Sequence, residues 1–153
     1  MLQQPLYSLF IRLIPEAFFV LLSICLLTNS KINYKNITIA SILGGTAVYI
    51  FRMMPIHFGI HTILGVMIYI LLSIKYSNIQ IHKAIVGALI TVILLFISDT
   101  MLFFLYKSLL NLPIDILVGN SLLAIIATLP SLIIFYITVI LIINIKRIKV
   151  KNG

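Results

Sequence analysis

The sequence predicts an all-α membrane protein, a bundle of five transmembrane helices that forms a single domain over residues 1–153. Of the 153 residues, 62% are hydrophobic and only 9% are charged, whereas a soluble domain carries about 25% charged residues. The apolar residues also fall into runs of about 20, the length that an α-helix needs to cross the hydrocarbon core. A transmembrane β-barrel would need alternating strands of about ten residues, and runs such as VLLSICLL are continuously apolar.

The first three predicted spans are separated by short polar connections. The first covers residues 9–28 and is followed by NSKINYKN. The second covers residues 37–54 and ends before Pro55, which has no backbone N–H to donate within a helix. Its adjacent Gly44 and Gly45 predict close packing against a neighbouring helix. The third covers residues 56–74 and is followed by KYSNIQIHK.

The last two predicted spans enclose the longest connection. The fourth covers residues 84–106, and KSLLNLPIDILVGN follows it. The fifth covers residues 121–145 and contains Pro130, which removes one backbone hydrogen bond and so predicts a kink. The chain then closes with the basic tail KRIKVKNG.

The basic residues fall mainly on one side of this topology, because five spans put the two termini on opposite sides. The side that holds the tail carries eight of them: Lys31, Lys35, Lys75, Lys83, Lys146, Arg147, Lys149 and Lys151. The other side carries Arg12, Arg52 and Lys107. Since Lys and Arg concentrate in cytoplasmic loops, we expect a multi-pass protein of the cell membrane with its N-terminus outside and its C-terminus in the cytoplasm.

The net charge of +8 does not predict a nucleic-acid partner, because the basic residues are spread over short connections instead of forming one basic face. No Gly-rich phosphate loop or nucleophile elbow is present. The lone Cys25 has the ordinary interpretation of a small buried apolar residue. The sequence therefore predicts no enzymatic activity and no cofactor, and its expected partners are the lipid bilayer and a separate protein.

Six ionisable residues near the outer face form the predicted ligand-binding site. They are Arg12, Glu16, Arg52, His57, His61 and Asp99. Arg12 and Glu16 are four residues apart, as are the two histidines, so each pair shares one helix face. A charge in the apolar core costs at least ~2.5–3.5 kcal/mol. We therefore expect charges from separate helices to neutralise one another inside the bundle and to line a polar pocket that opens outwards.

Simpler structural interpretations stand beside this one. Arg12 and Arg52 would reach the outer headgroups if their side chains snorkelled. Glu16 and Asp99 have shorter side chains, and their alternative role is ion pairing without any ligand. His57 and His61 resemble half of a metal site, but a neutral histidine bonded to a neighbouring carbonyl is the commoner role, so no metal is predicted.

Two short motifs resemble a known family. The first is Ile14, Pro15, Glu16 and Ala17; the second is Arg52, Pro55, Gly59, His61 and Thr62. They are similar to the Ile-Pro-Glu-Ala and Arg-x-x-Pro-x-x-x-Gly-x-His-Thr patterns in the membrane-embedded N-terminal input regions of Firmicutes sensor histidine kinases with GHKL-type ATPase domains. Only eight residues follow Ile145, so the resemblance implies the input module without kinase domains, either as a stand-alone relative or as a truncated chain.

Three functions are consistent with these observations. The first, favoured by the resemblance, is a sensory or regulatory module that binds a ligand near the outer face and signals to a separate partner protein, either a kinase or a transporter subunit. The alternative is a substrate-binding membrane subunit of a small-molecule or ion transporter. The third is a structural subunit with buried ion pairs and no ligand. A homodimer is left open, since a dimer would hide the polar side chains better than five helices alone.

Overall fold

The computed structural model describes residues 5–54, 60–109 and 122–151. Within these ranges the chain is helical apart from short turns, and five helical segments are long and apolar enough to cross a membrane. The predicted all-α class is thereby confirmed for the described residues, and the number of helices able to cross a membrane equals the predicted number of spans. His57, together with most of the connection between the fourth and fifth spans, lies outside the described residues.

The helices extend further than the hydropathy pattern predicts. Their bounds are α1 Leu6–Leu27, α2 Tyr34–Met53, α3 Ile60–Ser77, α4 Ile81–Leu109, α5 Leu122–Thr128 and α6 Pro130–Lys151. Three helices begin about one turn before the predicted spans that start at residues 9, 37 and 84, and two end about one turn after the predicted spans that end at residues 74 and 106. The reason is that helix hydrogen bonding continues through polar residues at the edge of an apolar run. At the start of α2, for example, Asn33 caps the helix by accepting a hydrogen bond from the Asn36 N–H at 3.4 Å.

The first span differs from the regular α-helix that its apolar run predicts. Residues Leu9–Leu13 form a π-helical turn, and a regular α-helix resumes at Ile14. Pro15 follows at once, and a proline lacks the N–H that would close the preceding turn and crowds the carbonyl four residues earlier. The wider π turn accommodates that lost bond just ahead of the proline, and Arg12 lies within it.

Two tight reversals connect α1 to α2 and α3 to α4. Asn29 and Asn78 adopt left-handed backbone conformations, with φ of 53° and 51°, which asparagine tolerates better than most residues. After α1, the Ser30 N–H donates to the Cys25 carbonyl at 2.9 Å, so the helix ends in a Schellman-type bond that satisfies a terminal carbonyl.

These two reversals lie side by side at one end of the bundle. The Cys25 thiol donates to the Ser77 hydroxyl at 3.3 Å, and the Asn36 amide donates to the Tyr76 carbonyl at 3.1 Å. We call this the basic end, because the described lysines near these helix ends are Lys31, Lys35, Lys75 and Lys83.

The first helix is the centre of the bundle. It packs against α2, α3, α4 and α6. Of its most apolar residues, 56% are buried inside the protein, against 17–39% in the other four spans. Ala17, Val20 and Ile24 are fully buried along it. The outer faces of the surrounding helices are apolar and exposed, as at Phe96 and Phe104 of α4, which are 72% and 71% exposed. An apolar exterior around a partly polar interior is the arrangement expected in lipid.

The glycine pair in α2 lies at two helix contacts, as predicted. A Cβ at Gly45 would lie 3.1 Å from the Cα of Ile14, next to the π turn of α1. A Cβ at Gly44 would lie 3.1 Å from Cδ1 of Leu72 in α3. The two glycines therefore allow α2 to approach helices on both of its sides, and the approach at Gly45 is to backbone.

Ser23 is the one described side chain whose buried polar atom has no hydrogen-bond partner. It is fully buried in the second-last turn of α1, four residues before Leu27. An unsatisfied buried hydroxyl costs about 1–3 kcal/mol, so we expect Ser23→Ala to raise the free energy of unfolding by about 1 kcal/mol. The matched control is Ser73→Ala, whose equally buried hydroxyl donates to the Ile70 carbonyl at 2.8 Å. Unfolding in mixed detergent micelles measures both, and a less stable Ser23→Ala protein would contradict the expectation.

Candidate functional site

The centre of the candidate site is Arg12, in the π turn of α1. Its Nε lies 3.6 Å from Oε2 of Glu16, one turn further along the same helix. Glu16 is buried, with its side chain only 10% exposed. The pair confirms that Arg12 and Glu16 share one helix face, as the spacing of four predicts. A carboxylate this deep is stable only when it is paired or protonated.

The same guanidinium also reaches the fourth helix. Its Nη2 lies 4.0 Å from Oδ2 of Asp99, at the outer limit of an ion pair. The Asp99 side chain is 34% exposed, so this contact is both longer and less enclosed than the one to Glu16. Arg12 thus joins two carboxylates from different helices, and its side chain points into the bundle.

A third contact ties Arg12 to the fifth span. Its Nη1 donates a hydrogen bond of 2.8 Å to the hydroxyl of Thr128. That hydroxyl in turn donates to the Ile125 carbonyl at 2.9 Å. A guanidinium has five N–H donors in a planar fork, and here its three nitrogens face three partners on three separate helices. We call Arg12, Glu16, Asp99 and Thr128 the charged cluster.

The fifth span is broken where it meets the charged cluster. Thr128 is the last residue of α5, and Pro130 begins α6, so the fifth span is interrupted at the proline where the sequence predicts a kink. Proline cannot donate to the carbonyl of Ile126, and the Leu129 N–H takes that acceptor at 3.1 Å.

Two further hydrogen bonds hold the two sides of this break. The Ser131 hydroxyl donates to the Thr128 carbonyl at 2.8 Å, across the break. The Tyr106 hydroxyl of α4 donates to the Ala127 carbonyl at 2.8 Å. The end of α5 is therefore held by α4 and by α1 together.

Thr128 was not among the predicted site residues. It is uncharged, and the sequence analysis searched for ionisable residues at one depth. The available signal was its place two residues before a helix-breaking proline, since a hydroxyl at a helix break often bonds groups that the break frees.

Arg52 and His61 lie at the end of the bundle that is opposite the basic end, as the charged cluster does. Arg52 is in the last turn of α2 and His61 in the first turn of α3, and both are half-buried. Tyr69, buried in α3, lies within electrostatic reach of both Glu16 and Arg52. Among the described residues, Arg52 has no carboxylate within ion-pair distance. Arg12 therefore pairs with both carboxylates, as expected, whereas the structure does not pair Arg52 with Glu16 or Asp99.

The charges of the cluster do not balance. When all three groups are ionised, one guanidinium faces two carboxylates, so the cluster carries one excess negative charge. In a low-dielectric interior an excess negative charge is costly, and it favours protonation of a carboxyl or binding of a positively charged group nearby. In the part of the chain that the structure describes, no three His, Cys, Asp or Glu side chains come together as a metal site would require.

The two short motifs of the sequence analysis both contribute described residues to this end of the bundle, whereas Pro55 and Gly59 of the second motif lie outside the described residues. Glu16 of the first motif belongs to the charged cluster, and Arg52 and His61 of the second lie at the same end. In comparisons with known proteins, no family model, curated protein or solved structure matches this chain.

Proposed function

We propose that this protein is a membrane-embedded sensory or regulatory module. Its ligand is a small polar or charged molecule that binds beside Arg12, Glu16 and Asp99, together with Arg52, His57 and His61. The observation that carries the proposal is the position of the Arg12 guanidinium, which contacts α1, α4 and the break in the fifth span at once. A ligand that competes for one of these contacts changes how the three helices are held together.

The broken fifth span offers a route from the ligand to the opposite end of the protein. Thr128 lies at the break, and α6 runs from Pro130 to Lys151 beyond the basic end. Broken or kinked helices bend at their interrupted hydrogen bonds. Release of the Thr128 hydroxyl by Arg12 would therefore alter the angle between α5 and α6, and with it the position of the basic tail.

The proposed orientation places the charged cluster near the outer face and the basic tail in the cytoplasm. Its support is the excess of Lys and Arg at the tail side. In this orientation an extracellular ligand meets the cluster, and the tail meets a cytoplasmic partner such as a separate kinase. The resemblance of the two motifs to sensor-kinase input regions supports a kinase as this partner.

Co-purification tests the ligand site. We expect mass spectrometry of the purified wild-type protein to detect a small molecule that is lost from Asp99→Asn and from His61→Ala. The matched control is Thr100→Ala, because Thr100 neighbours Asp99 on α4 but is exposed and its hydroxyl bonds only the Phe96 carbonyl of its own helix. If every variant retains the molecule, or if nothing co-purifies with any of them, the cluster only holds the helices together without binding a ligand, and the proposal is wrong.

A transporter subunit is the second candidate, and the break at Pro130 favours it specifically. Transporters bind substrates where discontinuous helices expose free backbone groups.

The two functions predict different responses to the recovered ligand. A transporter accumulates it inside sealed vesicles. A sensor does not accumulate the ligand. Instead, ligand binding changes the emission of a fluorophore attached to the cysteine of Ile145→Cys, in a protein that also carries Cys25→Ser. Ile145 suits the label because it is an exposed residue of α6.

A further inference from the structure

A groove of about 630 Å³ opens at the basic end, between α1, α4 and α6. It lies at the opposite end of the bundle from the charged cluster and shares no residue with it. Its mouth is polar. Thr28 at the end of α1 faces His82 and Lys83 in the first turn of α4, and both α4 side chains are exposed.

The inner part of the groove is apolar. Val86 and Ile90 continue along α4 from Lys83, and Ile142 of α6 forms the opposite wall. Residues three and seven positions beyond Lys83 lie on the same helix face, and Ile90 is about 10 Å deeper than Lys83 at 1.5 Å per residue. Val86 is 56% exposed and Ile90 is 41% exposed, so this wall is open to an occupant. The groove thus changes from cationic to apolar with depth.

Gly87 sets the floor of the groove where α1 and α4 come close. A Cβ at this position would lie 3.0 Å from Cγ2 of Thr28 and 3.3 Å from Cγ2 of Ile24. Any side chain here would push those groups aside or rise into the groove. The glycine therefore keeps the groove continuous from its polar mouth to its apolar inner part.

The charge of the basic end calls for an anionic occupant. Between Glu16 and Asp99 the sequence contains no Asp or Glu, so the lysines at this end have no carboxylate within that stretch. Lys83 forms no ion pair among the described residues. An exposed ammonium at the edge of an apolar groove is electrostatically matched to a phosphate group.

We propose that this groove binds one anionic phospholipid of the surrounding leaflet. The headgroup phosphate accepts hydrogen bonds from Lys83 and His82, and one acyl chain lies along Val86, Ile90 and Ile142. A free anion would match only the mouth and would leave the apolar part empty. A zwitterionic lipid would match the apolar part, but its own cation would offset the phosphate at Lys83.

Native mass spectrometry of the full chain in detergent tests the proposal. Phosphatidylglycerol is added to the wild type and to Lys83→Gln, with phosphatidylcholine and inorganic phosphate as the comparison probes. We expect phosphatidylglycerol to bind one per chain, and Lys83→Gln to weaken that binding about fivefold, the contribution of one lysine to an anionic lipid. The matched control is Lys35→Gln, since Lys35 is an exposed lysine at the same end but lines no part of the groove.

A second pair of variants tests the apolar part. Val86→Trp fills the groove and should weaken phosphatidylglycerol binding at least as much as Lys83→Gln. Ile85→Trp places the same bulk on the neighbouring exposed position, outside the groove, and should leave binding unchanged. All four variants alter exposed side chains, so each should fold.

Three results would overturn the proposal. The first is equal binding of phosphatidylcholine and phosphatidylglycerol. The second is saturation by inorganic phosphate at the same concentration, which would make this an anion site. The third is an equal loss in Lys35→Gln and Lys83→Gln, which would show diffuse attraction to the basic end instead of a groove.

Discussion

Replacing Arg12 with leucine is expected to lower the free energy of unfolding by about 3 kcal/mol. Removing one partner of a buried ion pair costs about 3–5 kcal/mol, because it leaves an uncompensated charge. Here Glu16 loses its partner in a site where its side chain is only 10% exposed. We take the lower end of that range because the other carboxylate, Asp99, is 34% exposed and is better able to stay hydrated.

The measurement is reversible unfolding in mixed micelles, or thermal melting in one detergent. The matched control is Lys107→Leu, which removes a basic residue from the far end of α4 whose side chain is exposed. Its effect should stay within about 0.5 kcal/mol, the usual range for surface substitutions. If Arg12→Leu behaves like this control, the charged cluster does not hold the bundle together.

A compensating variant separates lost charge balance from lost packing. Combining Arg12→Leu with Glu16→Leu and Asp99→Leu removes both orphaned carboxylates. Replacing a buried ion pair by apolar residues of similar volume is often neutral or stabilising, so the triple variant should recover at least half of the lost stability. Failure to recover would show that Arg12 acts mainly through its hydrogen bond to Thr128 or through the packing of its stem.

Substituting Gly45 is expected to have the second largest effect. In Gly45→Ala the new Cβ would lie 3.1 Å from the Cα of Ile14 and 3.2 Å from its nitrogen. Backbone atoms cannot rotate out of the way, so α2 must move away from α1 at the π turn. Overpacking of this kind costs about 1–3 kcal/mol, and the loss of stability should be larger in Gly45→Val than in Gly45→Ala because valine is bulkier at the same contact.

Gly65→Ala is the matched control for this contact. Its Cβ would meet only Cγ2 of Val48, at 3.5 Å, which is ordinary van der Waals contact. Alanine is about 1 kcal/mol better than glycine within a helix, so Gly65→Ala should be neutral or slightly stabilising. The helix preference is the same at both positions, and only the neighbouring atoms differ. If both alanine variants were equally stable, the close approach of α2 to Ile14 would be disproved.

The local properties of this chain were predictable from its sequence. Five apolar runs of helical length determined the five spans, since a backbone in lipid must satisfy its own hydrogen bonds within each segment. The spacing of four determined that Arg12 and Glu16 share a face. Pro130 marked a break. Each of these depends on residues within one or two turns of each other, where helix geometry alone decides the outcome.

Helix ends were predicted less well, because hydropathy reports where the apolar residues stop and not where the hydrogen bonds stop. The π turn before Pro15 was also missed. A proline signals a disturbed turn, but the sequence leaves open whether that turn kinks, ends or widens. Contact between Ile14 and the glycine of α2 accompanies the widened form here.

Only the tertiary structure decided which helices the cluster joins. The sequence placed Arg12 and Asp99 at a similar depth, but depth does not determine the rotation of a helix about its axis. That rotation is determined by packing, such as the approach of α2 at Gly45 and of α4 at Gly87. Packing brings Asp99 and the uncharged Thr128 to the same guanidinium. Composition and periodicity thus determined what each helix is, and side-chain packing between helices determined which polar groups meet.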